Sequence, residues 1–224
     1  MQRLEDELAA ARAIDVVAVA SAIESVGFEC TRCGECCTAD GDQPHTATVF
    51  PDEIRTLQDA GDRAWDEVAR PMPFGLDEAG EGETFEWALQ TDACGDCVFY
   101  EETDEQGACT VHDDRPLICQ TYPFSLDPTP EDSDPEPPTE AGQMGSVVDR
   151  IGVLEIHECE GVGRDISPEE ARDLAETLKR RAIVDLQEAI AVRDTYEPDP
   201  VDGTVVHDSE GAKRPDGRPL STRG

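Results

Sequence analysis

The sequence has little lysine and no long apolar run, and each shortage excludes a class of protein. Only Lys179 and Lys213 are lysines among 18 basic residues, against 52 acidic residues and a formal net charge of −34. Because proteins bind phosphate backbones by displacing counterions with Lys and Arg, this balance excludes generic nucleic-acid binding. No apolar run approaches the roughly 20 residues that a membrane-spanning helix needs, so we expect no membrane partner.

The excess of carboxylates extends along nearly the whole chain, a pattern typical of halophilic cytoplasmic proteins. A carboxylate-rich surface stays hydrated at high salt, and the salt screens the repulsion between like charges. The N-terminal segment carries acidic residues from Glu5 onward, whereas a secretory signal begins with a basic region and continues as an uncharged apolar run. We therefore predict a cytoplasmic protein.

Aromatic residues are also scarce, at 5% of the 224 residues, whereas there are 16 prolines and 18 glycines. This composition favours loops over regular structure. We predict an α+β fold, in which a small irregular cysteine-rich metal-binding domain has flanking N- and C-terminal helices. The predicted divisions are an N-terminal helix over 1–27, a cysteine-cluster domain over 28–163, a C-terminal helix over 167–196 and a disordered tail over 197–224.

Three segments carry clear local signals. The stretch "PDEIRTLQDAG" from Pro51 has acidic residues after an initial proline, which predicts a helix that ends near Gly61. Ser167, Pro168 and Glu170 predict the start of the long C-terminal helix, because they match an N-cap, a first helical residue and a capping box. The stretch 127–140 is rich in proline and acidic residues without apolar anchors, so we predict an exposed insertion.

Cysteine, in contrast, is abundant, and four of the nine cysteines lie within the stretch "FECTRCGECC" that begins at Phe28. In a reducing cytosol such clustering favours metal binding or catalysis over disulfides. A C-x2-C-x2-C run matches the first three ligands of a ferredoxin-type 4Fe–4S site, and C-x2-C pairs equally suit tetrahedral zinc. Because adjacent side chains leave the backbone in different directions, one of Cys36 and Cys37 is expected to reach a second site or to remain a free thiol.

Four motifs occur in the order that is typical of one family: "FECTRCGECC", the cysteine at Cys97, "GACTVHDDRPLICQTYPF" and "CEGVG". The chain therefore resembles the YkgJ-type cysteine-cluster family, a CxxCxxCC zinc- or iron-chelating domain. The resemblance covers about residues 28 to 163. It implies an iron–sulfur cluster or zinc as the cofactor. The metal ligands that it implies are Cys30, Cys33, Cys36, Cys37, Cys97, Cys109, Cys119 and Cys159.

Some residues depart from the family pattern or add to it. Gln120 and His112 stand where family members commonly have an arginine and an aromatic residue, and Cys94 is an additional cysteine that competes with Cys97. Arg115 is a candidate cofactor-binding residue, because a guanidinium beside thiolates offsets their charge; the alternative is a pair with a neighbouring aspartate. His157 is, like His112, a candidate nitrogen ligand.

The family resemblance implies three functions. The first is an iron–sulfur protein with redox or enzymatic use, as in members called Fe–S oxidoreductase-like. The alternative is a zinc-binding structural or protein-interaction module without catalysis. A further possibility is an enzyme related to the flagellin-lysine N-methylases, although the chain has no C-x3-C-x2-C run and no Gly-rich strand-to-helix loop for a methyl donor. The sequence identifies neither a substrate nor a protein partner.

Overall fold

A computed structural model describes residues 3–41, 43–102, 107–128, 147–198 and 203–220. Within these residues the fold is α+β, as predicted, with short helices, several small sheets and one long helix. The helices are α1 Leu4–Ala13, α2 Val16–Val26, α3 Pro51–Gly61, α4 Trp65–Val68, α5 Leu117–Thr121 and α6 Pro168–Thr195. None of the described helices is both long and apolar enough to cross a bilayer.

The strands are short, and most contain three residues or fewer. They are β1 Thr48–Val49, β2 Ala69–Pro71, β3 Gly82–Thr84, β4 Trp87–Leu89, β5 Tyr100–Glu102, β6 Gly107–Cys109, β7 Phe124–Leu126, β8 Val147–Ile151, β9 Leu154–His157, β10 Thr204–Asp208 and β11 Gly211–Lys213. Four sheets result, in the strand orders β1-β4-β2, β11-β10-β3, β5-β6 and β7-β9-β8. Single 3-10 turns lie at Glu35–Cys37 and at His112–Asp114.

The chain divides into two compact units. Unit 1 comprises Met1–Cys36, Glu101–Ala108 and Leu117–Gln187, and unit 2 comprises Cys37–Tyr100, Cys109–Pro116 and Glu188–Gly224. The boundary between the first segments of the two units falls between the adjacent cysteines Cys36 and Cys37. The nine cysteines are therefore distributed over both units.

The core of unit 1 is formed where α1, α2 and α6 pack with the sheet β7-β9-β8. Ala11, Ile23, Leu154 and Leu178 are among its buried members. Phe28 packs edge-to-face against the buried Phe124, with ring centroids 5.6 Å apart. The residue that begins the cysteine run is thus anchored to this core.

The predicted N-terminal helix over 1–27 is two helices rather than one. Asp15 separates α1 from α2 and caps α2, because its carboxylate accepts a hydrogen bond from the Val17 N–H at 2.9 Å. A short polar side chain that satisfies an N-terminal amide favours a new helix start over continuation of the old helix. The stop at Gly27, with φ +77°, was predicted correctly.

Two other helix predictions are confirmed. Helix α3 spans Pro51–Gly61, and its Glu53 side chain accepts a hydrogen bond from the Phe50 N–H at 3.0 Å. Helix α6 begins at Pro168, and the predicted capping box is present because Ser167 and Glu170 each accept a backbone N–H from the other, at 3.2 and 3.0 Å.

The predicted disordered tail over 197–224 is wrong for most of its described part, because β10 and β11 form a sheet with β3 in unit 2. Val205 and Val206 are buried, at 1% and 0% exposure. Asp208 accepts a hydrogen bond from the Trp87 indole N–H at 2.8 Å and pairs with Lys213 at 2.7 Å. A buried charge pair of this kind persists because its polar groups are satisfied. The predicted insertion over 127–140 lies outside the described residues beyond 128.

Candidate metal centre

The residues that lead into the cysteine run pair with the loop that follows Cys159. Phe28 forms an antiparallel bridge with Val162. The Glu29 N–H donates to the Gly161 carbonyl oxygen at 3.1 Å, and the Gly163 N–H donates to the Gly27 carbonyl oxygen at 3.0 Å. This short ladder brings the segment before Cys30 beside the segment after Cys159 within unit 1.

Glycine is required where the two segments meet. A Cβ atom on Gly161 would overlap the Glu29 carbonyl oxygen and lie 3.0 Å from the Phe28 ring. A Cβ atom on Gly27 would overlap the Arg164 carbonyl oxygen, and the φ of +77° at Gly27 itself favours glycine. Because the obstructing atoms belong to the backbone, they cannot move aside as a flexible side chain can.

Cys159 is half-buried, and its Sγ accepts a hydrogen bond from the Gly161 N–H at 3.4 Å. Burial raises the pKa of the Cys159 thiol, the Gly161 N–H lowers this pKa, and the charges of Cys33, Cys36 and Cys30 raise it. The three thiols of the C-x2-C-x2-C run are therefore electrostatic neighbours of Cys159. We call Cys30, Cys33, Cys36 and Cys159 the Cys30 group.

Tyr122 lies beside the Cys30 group. Its hydroxyl donates to the Glu158 carbonyl oxygen, and its ring stacks on His157 with centroids 6.3 Å apart. Burial raises the pKa of Tyr122, and the charges of Cys159, Cys36, Glu35 and Cys33 raise it further, because they disfavour a phenolate. Phe124, which follows in the sequence, is instead a core residue of unit 1.

In unit 2, a tight turn presents Cys94 and Cys97. The Asp92 carboxylate accepts hydrogen bonds from the Cys94 N–H at 2.8 Å and the Asp96 N–H at 3.0 Å. Gly95 has φ +90°, a conformation that side chains rarely adopt. The stretch "DACGDC" thus forms a backbone knuckle, which the C-x2-C spacing predicts, and the Asp92 carboxylate closes the turn.

The knuckle is held against the segment that begins with Cys37. The Cys97 N–H donates to the Cys37 carbonyl oxygen at 2.8 Å, and the His45 N–H donates to the Gly95 carbonyl oxygen at 2.8 Å. The Ala39 N–H donates to the Asp96 carboxylate at 2.7 Å. Cys97 is 7% exposed, whereas Cys94 is exposed.

The two remaining cysteines belong to different units. Cys109 ends β6, and the next residue, Thr110, donates its N–H to the Phe99 carbonyl oxygen at 2.8 Å, which ties this segment to the residues after Cys97 in unit 2. We call Cys37, Cys94, Cys97 and Cys109 the Cys97 group. Cys119 lies on α5 in unit 1 and is half-buried.

The other candidate residues have identified partners. The Arg115 Nε donates to the His112 carbonyl oxygen at 2.9 Å, where it follows the 3-10 turn His112–Asp114. The Nε2 of His157 lies 2.9 Å from the Ser125 hydroxyl oxygen, which also contacts Glu155 at 2.9 Å. The His112 Nδ1 lies 3.4 Å from the Asp113 carboxylate. A role for Arg115 in cofactor binding stays a prediction.

The donor chemistry of both cysteine groups fits a soft metal. In the described part of the chain, no three His, Cys, Asp or Glu side chains already converge on one point as a finished metal site. All nine cysteines are described, and all are thiols rather than disulfides. Clustered sulfur ligands favour zinc or iron–sulfur clusters and disfavour magnesium and calcium. A backbone N–H that donates to a sulfur, as the Gly161 N–H does to the Cys159 Sγ, tunes the properties of that sulfur when it binds a metal.

Comparison with known protein families agrees with this chemistry. The CxxCxxCC family model, described as "Putative zinc- or iron-chelating domain", matches residues 29–141, just over half of the chain. The match includes the cysteine run from Cys30 and the knuckle at Cys94 and Cys97, and it ends before Cys159. Neither a curated protein nor a solved structure matches the chain significantly. The protein belongs to the CxxCxxCC family of zinc- or iron-chelating domains.

Proposed function

We propose that this protein holds an iron–sulfur cluster of the 4Fe–4S type at the Cys30 group and uses it for redox chemistry, as an oxidoreductase-like protein. The observation that carries the proposal is the joining of the C-x2-C-x2-C run to Cys159 by the Glu29–Gly161 hydrogen bond at 3.1 Å. The ferredoxin-type arrangement has three cysteines at this spacing and a fourth cysteine from a distant part of the chain.

The surroundings of the Cys30 group support electron transfer. Cys30 and Cys33 are exposed, whereas Cys36 and Cys159 are half-buried. One edge of a cluster at this position would therefore face solvent, from which a redox partner can approach. A bound cluster supplies one-electron transfer, and its potential depends on charge, exposure and hydrogen bonds to sulfur. In this chain the Gly161 N–H donates to the Cys159 sulfur, and Tyr122 is hydrogen-bonded to the residue before Cys159.

Anaerobic purification tests the proposal, because only a cluster contains inorganic sulfide. We expect a brown protein with an absorption band near roughly 400 nm and acid-labile sulfide in amounts equal to the iron. A colourless protein without sulfide, even after anaerobic reconstitution with iron and sulfide, would contradict it. Thiols that are kept reduced suit a cytoplasmic location, which we propose for the protein.

A zinc-binding structural or protein-interaction module is the second candidate function. The observation that favours it is the knuckle at Cys94 and Cys97, where Gly95 and the Asp92 carboxylate shape a C-x2-C turn. Such turns suit closed tetrahedral zinc sites, which stabilise small loop-rich domains. Zinc in stoichiometric amount without any sulfide would favour this candidate for the whole protein.

A further inference from the structure

Cys36 and Cys37 are adjacent, and the structure separates their side chains. Both belong to the 3-10 turn Glu35–Cys37. A 3-10 helix has three residues per turn, so successive side chains point about 120° apart. Two thiolates that diverge in this way do not bind one small ion together. The boundary between the two compact units falls at the same peptide bond, with Cys36 in unit 1 and Cys37 in unit 2.

The backbone around Cys37 is held by the knuckle in unit 2. The Cys37 carbonyl oxygen accepts the Cys97 N–H at 2.8 Å, so Cys37 and Cys97 are direct hydrogen-bond neighbours. Cys109 joins the same unit through the hydrogen bond between Thr110 and Phe99. With Cys94, unit 2 contains four cysteines, which is the number that a closed tetrahedral site requires.

We propose that the Cys97 group, Cys37, Cys94, Cys97 and Cys109, forms a second metal centre, a closed four-thiolate site of the zinc type, separate from the Cys30 group. The inference deepens the proposed function and rests on its premise that clustered cysteines of this chain bind metal. It assigns the additional cysteine Cys94 as a ligand together with Cys97, and it gives Cys36 and Cys37 to different centres.

The polar surroundings of the knuckle fit an anionic site. Four thiolates around a divalent ion carry a net charge of −2, and such a site is stabilised by nearby positive charge and N–H donors. The guanidinium of Arg70 donates to the His45 carbonyl oxygen at 2.9 Å, and the His45 N–H donates to the Gly95 carbonyl oxygen. Arg70 is thus a cation bound to the segment that is itself hydrogen-bonded to the turn at Gly95.

Metal and sulfide analysis of the full chain, purified anaerobically, tests the inference. We expect the wild-type protein to contain one zinc per chain in addition to any cluster. Cys37→Ser and Cys94→Ser should each lose the zinc and retain the sulfide, whereas Cys36→Ser should lose the sulfide and retain the zinc. Ala93→Ser, which places a serine at the exposed residue before Cys94 without removing a thiol, is the matched control and should retain both zinc and sulfide.

Other results overturn the inference in distinguishable ways. Zinc that is retained in Cys37→Ser or Cys94→Ser would show that the substituted cysteine is not a ligand. A sulfide content that falls by half in Cys37→Ser would show that the Cys97 group holds a second cluster rather than zinc. If these variants fail to fold, native mass spectrometry of the wild-type protein decides, because a chain whose mass includes no zinc ion contradicts the inference. Zinc that depends on Cys37 in a protein without sulfide would instead support the inference and contradict the proposed cluster.

Discussion

The hydroxyl of Tyr122 donates a hydrogen bond to the backbone carbonyl oxygen of Glu158, the residue before Cys159. The ring of the same tyrosine stacks on His157. Tyr122 thus holds the backbone next to Cys159, the fourth ligand of the proposed cluster, without being a proposed ligand itself. It is a positioning residue, and several consequences can be measured.

Tyr122→Phe keeps the ring and removes the hydrogen bond to Glu158. We expect a loss of about 1 kcal/mol in the free energy of unfolding, since that is the typical net value of one hydrogen bond. The cluster should bleach about fivefold faster in air, because the same free energy holds Cys159 in place. The control is Tyr196→Phe, which removes a hydroxyl bonded to Glu83 at 3.2 Å in unit 2 and should leave the bleaching rate unchanged. Equal bleaching rates in Tyr122→Phe and Tyr196→Phe would contradict the positioning role of Tyr122.

Gly161→Ala should destabilise the protein by at least about 2 kcal/mol and reduce its iron content, because the new Cβ overlaps the Glu29 carbonyl oxygen. Chemical denaturation and iron analysis measure the two effects. The matched control is Gly61→Ala, where the nearest atoms within 3.2–3.4 Å belong to the flexible Arg63 side chain. A Gly161→Ala protein with normal stability and iron would show that the ladder between Phe28 and Val162 is not needed.

Cys159→Ser should abolish the cluster, because it removes the fourth thiol of the Cys30 group. Cys119→Ser, in the same unit, is the comparison variant, and it should retain the cluster if the Cys30 group supplies all four ligands. The family resemblance includes Cys119 among the ligands, so the comparison is informative. Loss of sulfide from Cys119→Ser, with retention in Cys159→Ser, would assign the fourth position to Cys119.

Glu210 should make the free energy of unfolding depend on pH in the acid range. Hydrogen bonds from Arg55 and from Lys213 at 2.6 Å lower the pKa of Glu210. A carboxylate whose pKa is lowered by folding adds stability above its unfolded pKa, and this contribution is lost as the pH falls through the folded value. The stability advantage of the wild-type protein over Glu210→Gln should therefore shrink between pH 6 and pH 3, by about 1 kcal/mol or less. An advantage that is constant over this range would contradict the prediction.

Salt should stabilise the protein. With a formal net charge of −34, the folded chain is strained by repulsion between carboxylates, and the Debye length falls to about 3 Å at 1 M salt. We expect the melting temperature to rise as potassium chloride increases from about 0.1 to 1 M. A melting temperature that stays constant or falls would argue against the predicted halophilic character.

The sequence was sufficient where local chemistry decides the structure. Ser167 and Glu170 accept each other's backbone N–H groups at the start of α6, and Pro168 has no N–H to satisfy, so this helix start was predictable from these three residues. The spacing of Cys30 and Cys33 likewise indicated a metal-binding run before any fold was known. In these cases the interacting groups lie within one turn of the chain.

Prediction failed where distant segments decide the structure. Thr204, Val205 and Val206 are β-branched residues in an otherwise polar segment, and they pair in parallel with β3, while Asp208 is satisfied by Trp87. The sequence predicted that Cys36 and Cys37 would not serve one site together, but not which of them joins which proposed group. The proposed division depends on the hydrogen bond between Cys37 and Cys97 and on the electrostatic effect of Cys36 on Cys159. Long-range pairing of this kind leaves no periodic signal in the sequence.

The bridge between Phe28 and Val162 also limits how far the protein can be shortened. A fragment reduced to the family-matched residues 29–141 would lack Val162, Cys159 and all of α6, whose Ala171 and Leu178 are fully or almost fully buried. Such a fragment would keep the signature by which the family is recognised and would lose both the hydrophobic support and a sulfur of the Cys30 group. The recognisable signature is therefore smaller than the smallest piece expected to fold autonomously.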